Sequence, residues 1–467
     1  MKKTAKIIYK TAGILLAVLL LIVTINVTEP LFCEKNSGSK NTMDPIEAEN
    51  QCAGERIRCI DDNEEALLWR LRMIADAKKS IVLATFDLRP DESGTDIMAA
   101  LYQAAQRGVH IRLLLDGIYE IPFLRGSTEF STLASHENVE AGIYNPISLK
   151  NIFRLNYRMH DKYLMIDDCR YLLGGRNTND IFLGNYKKDI NIDRDILVCE
   201  DGENGNSMEQ LMDYFSRIWN EPCVRRVKPF IAEKKAERQK ELFWRRYQKL
   251  AGKYDDMETY HRWNQDTFEV ESISLLSNGI KAAKKSPVLL NEIGNFMEKA
   301  DRVIIQTPYV ICDNAMYGIL KKTAAHADLR IILNAVEKGS NPWGCTDYLN
   351  HKKDLQKTGA SIYELMNEKA VHTKTILVDD HISLVGSYNF DMRSTYLDTE
   401  LMLVIESKEL NAHLESMNEV YMKKSRKVCP DGTQTEGILY REKKLSAKRQ
   451  KFYRKLQIIV RPIRHLL

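Results

Sequence analysis

Three hydrophobic patterns divide the chain. Residues 11–27 form a near-continuous apolar run, broken only by Thr24 and Asn26 and preceded by Lys2, Lys3, Lys6 and Lys10. Its 17 residues are the short end of a membrane span and exceed most signal-peptide cores. Residues 1–28 are therefore predicted to be an uncleaved single-pass anchor, and the polar stretch 29–54 a linker. From residue 55 onward, apolar strand-like runs alternate with helical spacing. Residues 64–79 and 97–106 read as helices, and residues 80–88 and 109–116 as strands, an α/β pattern. In the C-terminal stretch 431–467, Leu445, Phe452, Leu456, Ile459 and Ile463 share one helical face. Ten Lys or Arg residues accompany them between positions 441 and 467. Such a basic amphipathic tail fits either an anionic membrane surface or packing on the folded body.

The same order of elements returns some 220 residues later. Residues 302–310 answer 80–88, residues 329–334 answer 111–116, and Ser361-Ile362-Tyr363 answers Gly142-Ile143-Tyr144. The agreement is strongest over polar positions. His160, Lys162, Asp167, Asp168, Gly174 and Asn177 align without a gap to His372, Lys374, Asp379, Asp380, Gly386 and Asn389. Farther on, Asp193-Arg194-Asp195 is set against Asp398-Thr399-Glu400. The chain is a tandem duplication, with halves at residues 55–223 and 265–430. Residues 224–264, dense in Lys, Arg and Glu, connect them as a charged helical segment of the kind usually found solvated.

Composition narrows the reading. Net charge is only +4, too small for a global field that would draw in a nucleic acid; no nucleic-acid partner is expected. Nine cysteines include no Cys-x-x-Cys pair, so ligand spacing suggests no zinc site. Lysines before the apolar run place the amino terminus in the cytoplasm and the body outside. In that compartment Cys52 and Cys59 could close a small disulfide loop.

Candidate chemistry sits in the repeated segment. On a strand, His160 and Lys162 point the same way, as do His372 and Lys374, whereas Asp167 and Asp379 have the opposite parity and either turn away or lie beyond the strand end. Two such pairs supply two imidazoles and two ammonium groups, a set suited to a phosphodiester. One neutral histidine can attack phosphorus while the other, protonated, serves the leaving oxygen. The lysines, with Asn177, Ser387 and Asn389 as donors, would hold the equatorial oxygens. Asp195 and Glu400 are the candidates for fixing the second ring nitrogens. No metal or cofactor is required.

Both segments match H-x-K-(x)4-D-(x)6-G-[GS]-x-N in full and so resemble the paired signature of the phospholipase D superfamily. That resemblance implies two α/β lobes about a pseudo-twofold axis, one shared site and a covalent phosphohistidine. It makes His160 the nucleophile and His372 the general acid, with the reverse assignment open, and gives the motif aspartates Asp167 and Asp379 a largely structural part. It also implies that the carboxylate downstream of each motif orients its histidine, pointing to Glu400 and Asp195.

The segments RLNYRMHDK, GGRNTND and GSYNFDMRST, with TELMLVIES, are similar to C-type cardiolipin synthases over roughly residues 55–425. Those enzymes join a phosphatidyl group to the head-group hydroxyl of phosphatidylglycerol, which implies phospholipid substrates at an anionic membrane. Many of them begin with two spans where this chain has one, so sidedness does not carry over. Hydrolysis by water and a nuclease acting on a phosphodiester backbone are the competing readings.

Overall fold

The computed structural model describes residues 2–32, 54–200 and 206–467. Most of the expected linker, and Cys52 of the expected disulfide, lie outside the described residues. The apolar segment is one helix, Lys2–Phe32, and it is the candidate membrane span.

The duplication is written into two nine-stranded sheets. In the first, Asp195–Glu200, Arg170–Gly174, Tyr163–Ile166, Ser80–Thr85, His110–Asp116 and Val139–Tyr144 lie side by side. In the second, Leu401–Glu406, Ile382–Gly386, Thr375–Val378, Arg302–Gln306, Asp328–Asn334 and Ser361–Leu365 repeat that order. Within each sheet the three βαβ-linked strands run parallel and the motif hairpin antiparallel. Even the caps recur. Asp91 accepts from Gly94 N at the start of helix Glu92–Gln106, and Asp313 accepts from Met316 N at the start of Asn314–Ala324, each satisfying an orphan amide of the first turn.

Helices cover the outer face of each sheet. The inner faces meet in a shared apolar layer that includes Val82, Tyr163 and Met165 of one half and Ile304, Leu377 and Val385 of the other. Because strands are buried on both faces, they read as apolar runs rather than alternating ones. Helices Ser207–Trp219 and Lys408–Lys423 enter the same layer through Leu211, Phe215, Leu410 and Leu414, so helices lie between the two sheets as well as outside them.

Three sequence expectations shift. Helix Glu233–Lys253 is a packed element rather than a solvated one, for Phe243, Tyr247 and Leu250 enter the core of the first half. Strand Val224–Val227, assigned by sequence to the same connection, pairs with Val139–Tyr144 in the first sheet. In the tail, helix Ala447–Ile463 packs on the second half through Tyr453, Leu456 and Val460, leaving Phe452 and Ile459 exposed. The buried stripe is rotated from the expected one because the Tyr453 ring counts as apolar surface while its hydroxyl accepts from Arg449.

Candidate active site

Each motif histidine stands at the mouth of a short inter-half bridge. Met159 pairs in parallel with Thr399, and Val371 pairs in parallel with Ile192. One residue farther along each crossing, His160 meets Glu400 and His372 meets Asp193. His160 Nδ1 lies 2.9 Å from Glu400 Oε1, and His372 Nδ1 lies 2.6 Å from Asp193 Oδ2. Each carboxylate therefore serves the histidine of the opposite half. The amides continue the pattern, His160 N donating to Thr399 O and His372 N to Ile192 O.

This corrects the expected role of Asp195, which touches neither imidazole. It forms ion pairs with Arg70 at 2.9 Å and Arg176 at 3.1 Å, deep in the first half. Sheet register explains the slip. Gly174 pairs with Asp195 and Gly386 pairs with Met402, so Asp195 corresponds to Met402 and Asp193 to Glu400. Arg176 is buried where the second copy carries Tyr388, and a buried guanidinium needs a carboxylate partner. Asp195 supplies it. The inferred Gly142–Ser361 match also moves by two, since Ala141, rather than Ile143, holds the place of Ile362.

The two carboxylates are held differently. Glu400 accepts from Ser387 Oγ at one oxygen and, at the other, from Ser394 Oγ as well as facing His160. Asp193 packs against Gly175, where a Cβ would sit 2.4 Å from its Oδ1; the first copy thus needs glycine at the position where the second uses Ser387. Ser394 and Asp193 were not singled out from sequence. The DRD run contained Asp193, but two carboxylates two residues apart share a strand face and pattern alone cannot choose between them.

Lys162 Nζ donates to the His160 carbonyl and Lys374 Nζ to that of His372. Both lysines are buried, and Lys374 also lies 3.8 Å from Asp193. Phe86 and Phe182 each set a ring edge-on to a histidine, with centroids 5.0 Å apart in both pairs; neither phenylalanine was anticipated. His160 and His372 keep 12% and 17% of their side chains exposed, a narrow opening onto otherwise dry surroundings.

Asp167 and Asp379 stand elsewhere. Asp167 accepts from the amides of Lys78, Lys79 and Ser80 at 2.6–2.8 Å, and Asp379 from those of Asp301 and Arg302 at 2.9 and 3.0 Å. Both adopt positive φ, 49° and 52°, a conformation that aspartate tolerates better than most residues. They tie the motif hairpin to the start of the neighbouring strand and do not reach the histidines. Asn177 and Asn389 lie on the turns after the motifs, largely buried, and the Oδ1 of each has no hydrogen-bond partner among the described residues. These oxygens are acceptors, which a hydroxyl can satisfy and an ionised phosphate oxygen cannot.

Electrostatics separates the two halves of the site. Burial, assisted by Lys162, holds His160 well below its ordinary range; burial and Lys374 bring His372 down to about 4. Burial lowers Lys162 to about 7 and lowers Lys374 as well. Burial pushes Glu400 up to about 7 despite Lys162, Ser387 and Ser394. Burial would raise Asp193 too, but Lys374 and His372 outweigh it and the carboxyl falls to about 2. An ionised Asp193 favours a proton on His372; a half-neutral Glu400 favours it far less on His160. The arrangement can present one neutral imidazole and one protonatable imidazole to an anion held by two lysines.

Known proteins resemble this chain in both of its halves. The family described as "Cardiolipin synthase, PLD-like domain" matches residues 71–219 and 293–420, one segment in each half. Cardiolipin synthase C of Escherichia coli K12 is 25% identical over 403 residues, covering 75% of this chain and 81% of that protein. An uncharacterised protein of Helicobacter pylori 26695 is 25% identical over 386 residues, covering 74% of this chain and 75% of its own length. Among solved structures, phosphatidylserine synthase of Haemophilus influenzae superposes with a TM-score of 0.61 over 89% of this chain and 98% of that one, at 14% identity. At that identity the likeness is one of fold.

Proposed function

The chain belongs to the phospholipase D superfamily, in the family of cardiolipin synthase PLD-like domains, and from this premise we propose that it is a membrane-anchored phosphatidyltransferase that makes cardiolipin from phosphatidylglycerol. The observation that carries the reading is the pair of crossed contacts, His160 with Glu400 and His372 with Asp193. They engage both Nδ1 atoms and so turn each Nε2 to a substrate, with Lys374 Nζ 3.2 Å from that of His372, as two-step displacement at phosphorus requires.

In the first step, His160 Nε2 attacks the phosphorus of a bound phosphatidylglycerol. The phosphorus–oxygen bond to the head-group glycerol breaks, and the protonated His372 gives its proton to the departing oxygen. The phosphatidyl group is then held on His160. In the second step, His372 accepts the hydroxyl proton of another phosphatidylglycerol head group, whose oxygen attacks phosphorus and releases His160. Lys162 and Lys374 balance the charge on the equatorial oxygens, supported by the amides of Asn177 and Asn389. Asp193 supports this division of roles, because an ionised partner stabilises the imidazolium that the leaving group needs. An anionic phosphodiester entering the cleft raises both depressed histidines, His372 the more readily.

The helix Lys2–Phe32 supports a bilayer substrate. Its central residues, including Ile14, Leu16, Leu19 and Leu20, are exposed on the folded body, as a lipid-facing surface would be. The flanking lysines assign the body to the outer side.

The test is incubation of purified, detergent-solubilised protein with labelled phosphatidylglycerol, products being resolved by mass. Cardiolipin and free glycerol, both absent with His160→Ala, are expected. Phosphatidic acid alone would replace transfer by hydrolysis, and no lipid product would overturn the assignment. Activity is expected to survive EDTA.

A further inference from the structure

Asn26, the polar residue that interrupts the apolar run, is 8% exposed and is spent on the catalytic body. Its Nδ2 donates to Ile152 O at 2.7 Å, its Oδ1 accepts from Leu155 N at 3.0 Å, and its carbonyl accepts from Asn156 Nδ2 at 2.5 Å. One turn on, Glu29 accepts from the Tyr157 hydroxyl, and His465 Nε2 of the C-terminal turn lies 2.6 Å from Val27 O. The apolar helix is thus bolted, at its last turns, to the loop that leads directly into His160.

That loop has a rigid base and an apolar tip. Asn145 Nδ2 donates to the carbonyls of Arg154 and Tyr157, while Asp116 holds Arg158 and the Met159 amide. Between these fixed points Leu149 is 89% exposed and Phe153 44% exposed, with Lys150 and Arg154 exposed beside them. Two bare apolar side chains flanked by two cations suit the boundary between head groups and acyl chains of an anionic bilayer. Position decides the occupant, because the tip is fixed next to the helix end where that helix would leave the hydrocarbon.

We infer that residues 147–155 form a membrane-inserted lip, with Leu149 and Phe153 in the bilayer surface and Asn26 setting its height, so that phospholipid reaches the His160 cleft along this loop. The inference rests on the reading of Lys2–Phe32 as a membrane anchor and of the site as a phosphatidyltransferase. It makes the anchor a rigid mount rather than a loose tether. Arg393 extends the mount towards the site, donating to Asn156 O at 2.6 Å and pairing with Asp398 at 3.0 Å.

Two measurements on the full chain reconstituted in phosphatidylglycerol-containing vesicles test it. Phe153→Trp emission should be quenched by lipids brominated near the head group beyond the quenching of the native tryptophans. Quenching equal to wild type would overturn insertion, whatever the enzyme's activity. Leu149→Asp/Phe153→Asp should lower turnover of vesicle phosphatidylglycerol by about tenfold or more, the worth of two partly buried apolar side chains. The same variant should turn over a monomeric short-chain phosphatidylglycerol within about twofold of wild type. Equal losses on both substrates, or no loss on vesicles, would overturn the lip. Quenching of Phe153→Trp above the wild-type baseline, with a wild-type protein that transforms neither lipid, would leave the lip standing and defeat the transferase reading.

Discussion

Asp193 Oδ2 stands 2.6 Å from His372 Nδ1 across the boundary between the halves, mirroring the 2.9 Å contact of Glu400 with His160. Neither half holds a complete pair of histidine and carboxylate. Each half supplies the proton-handling ring for one site and the tuning charge for its counterpart, which gives a duplicated chain a physical reason to keep both copies docked.

That crossing separates Asp193 from its neighbour two residues on. Asp193→Asn should retain the fold while cutting kcat by about 10²- to 10³-fold, the range of a lost acid–base partner. Asp195→Ala should instead destabilise the protein by roughly 3–5 kcal/mol, because Arg70 and Arg176 would keep buried charges without a partner. Steady-state kinetics and thermal melts on the two variants distinguish the roles; equal effects on kcat without a change in Tm would place Asp195 in the site after all.

The histidines themselves should be indispensable. His160→Ala and His372→Ala are each expected to abolish detectable turnover with Tm close to wild type. Incubation of wild type with 32P-labelled phosphatidylglycerol, followed by alkaline quench, should trap label on the protein, and His160→Ala should lose it. Label retained by His160→Ala but lost in His372→Ala would reverse the assignment of nucleophile and acid.

Asp167 should behave as a fastener. Asp167→Ala removes the acceptor of three backbone amides that are partly open to water, costing roughly 1–2 kcal/mol. Turnover below the melting transition should stay within about tenfold of wild type, far above that of His160→Ala. A loss as complete as that of the histidine variant, at unchanged Tm, would contradict the assignment.

Glu400 sets a pH dependence of stability. Its folded-state carboxyl is raised to about 7 from an ordinary 4.5 by burial, so between those values the folded chain holds a proton that the unfolded chain has released. Stability from this group is present below about 4.5 and is lost as pH rises through about 7. Glu400→Gln, which keeps the neutral shape, should therefore gain on wild type as pH increases from 5 to 8. Parallel Tm profiles of the two proteins across that interval would show that Glu400 is not held neutral.

The duplication, the α/β alternation and the paired motif residues His160, Lys162, His372 and Lys374 are legible along the chain, because each is a matter of residue identity and spacing. Asp167 and Asp379 stand away from their histidines because they lie beyond the ends of strands Tyr163–Ile166 and Thr375–Val378, at positive φ, rather than through strand parity. Which carboxylate meets which ring is set by how the two halves pack. The equivalences of Asp195 with Glu400 and of Gly142 with Ser361 both slip by two residues, and a shift of two leaves every side chain on its original sheet face. Hydrophobic pattern is blind to such a slip; hydrogen-bond register between strands is not. The crossing of the halves was hidden for a related reason, since contacts such as Met159 with Thr399 join residues far apart in the chain that no local pattern relates. The rotated face of the tail helix and the docking of Asn26 belong to the same class, being set by the surface each segment meets.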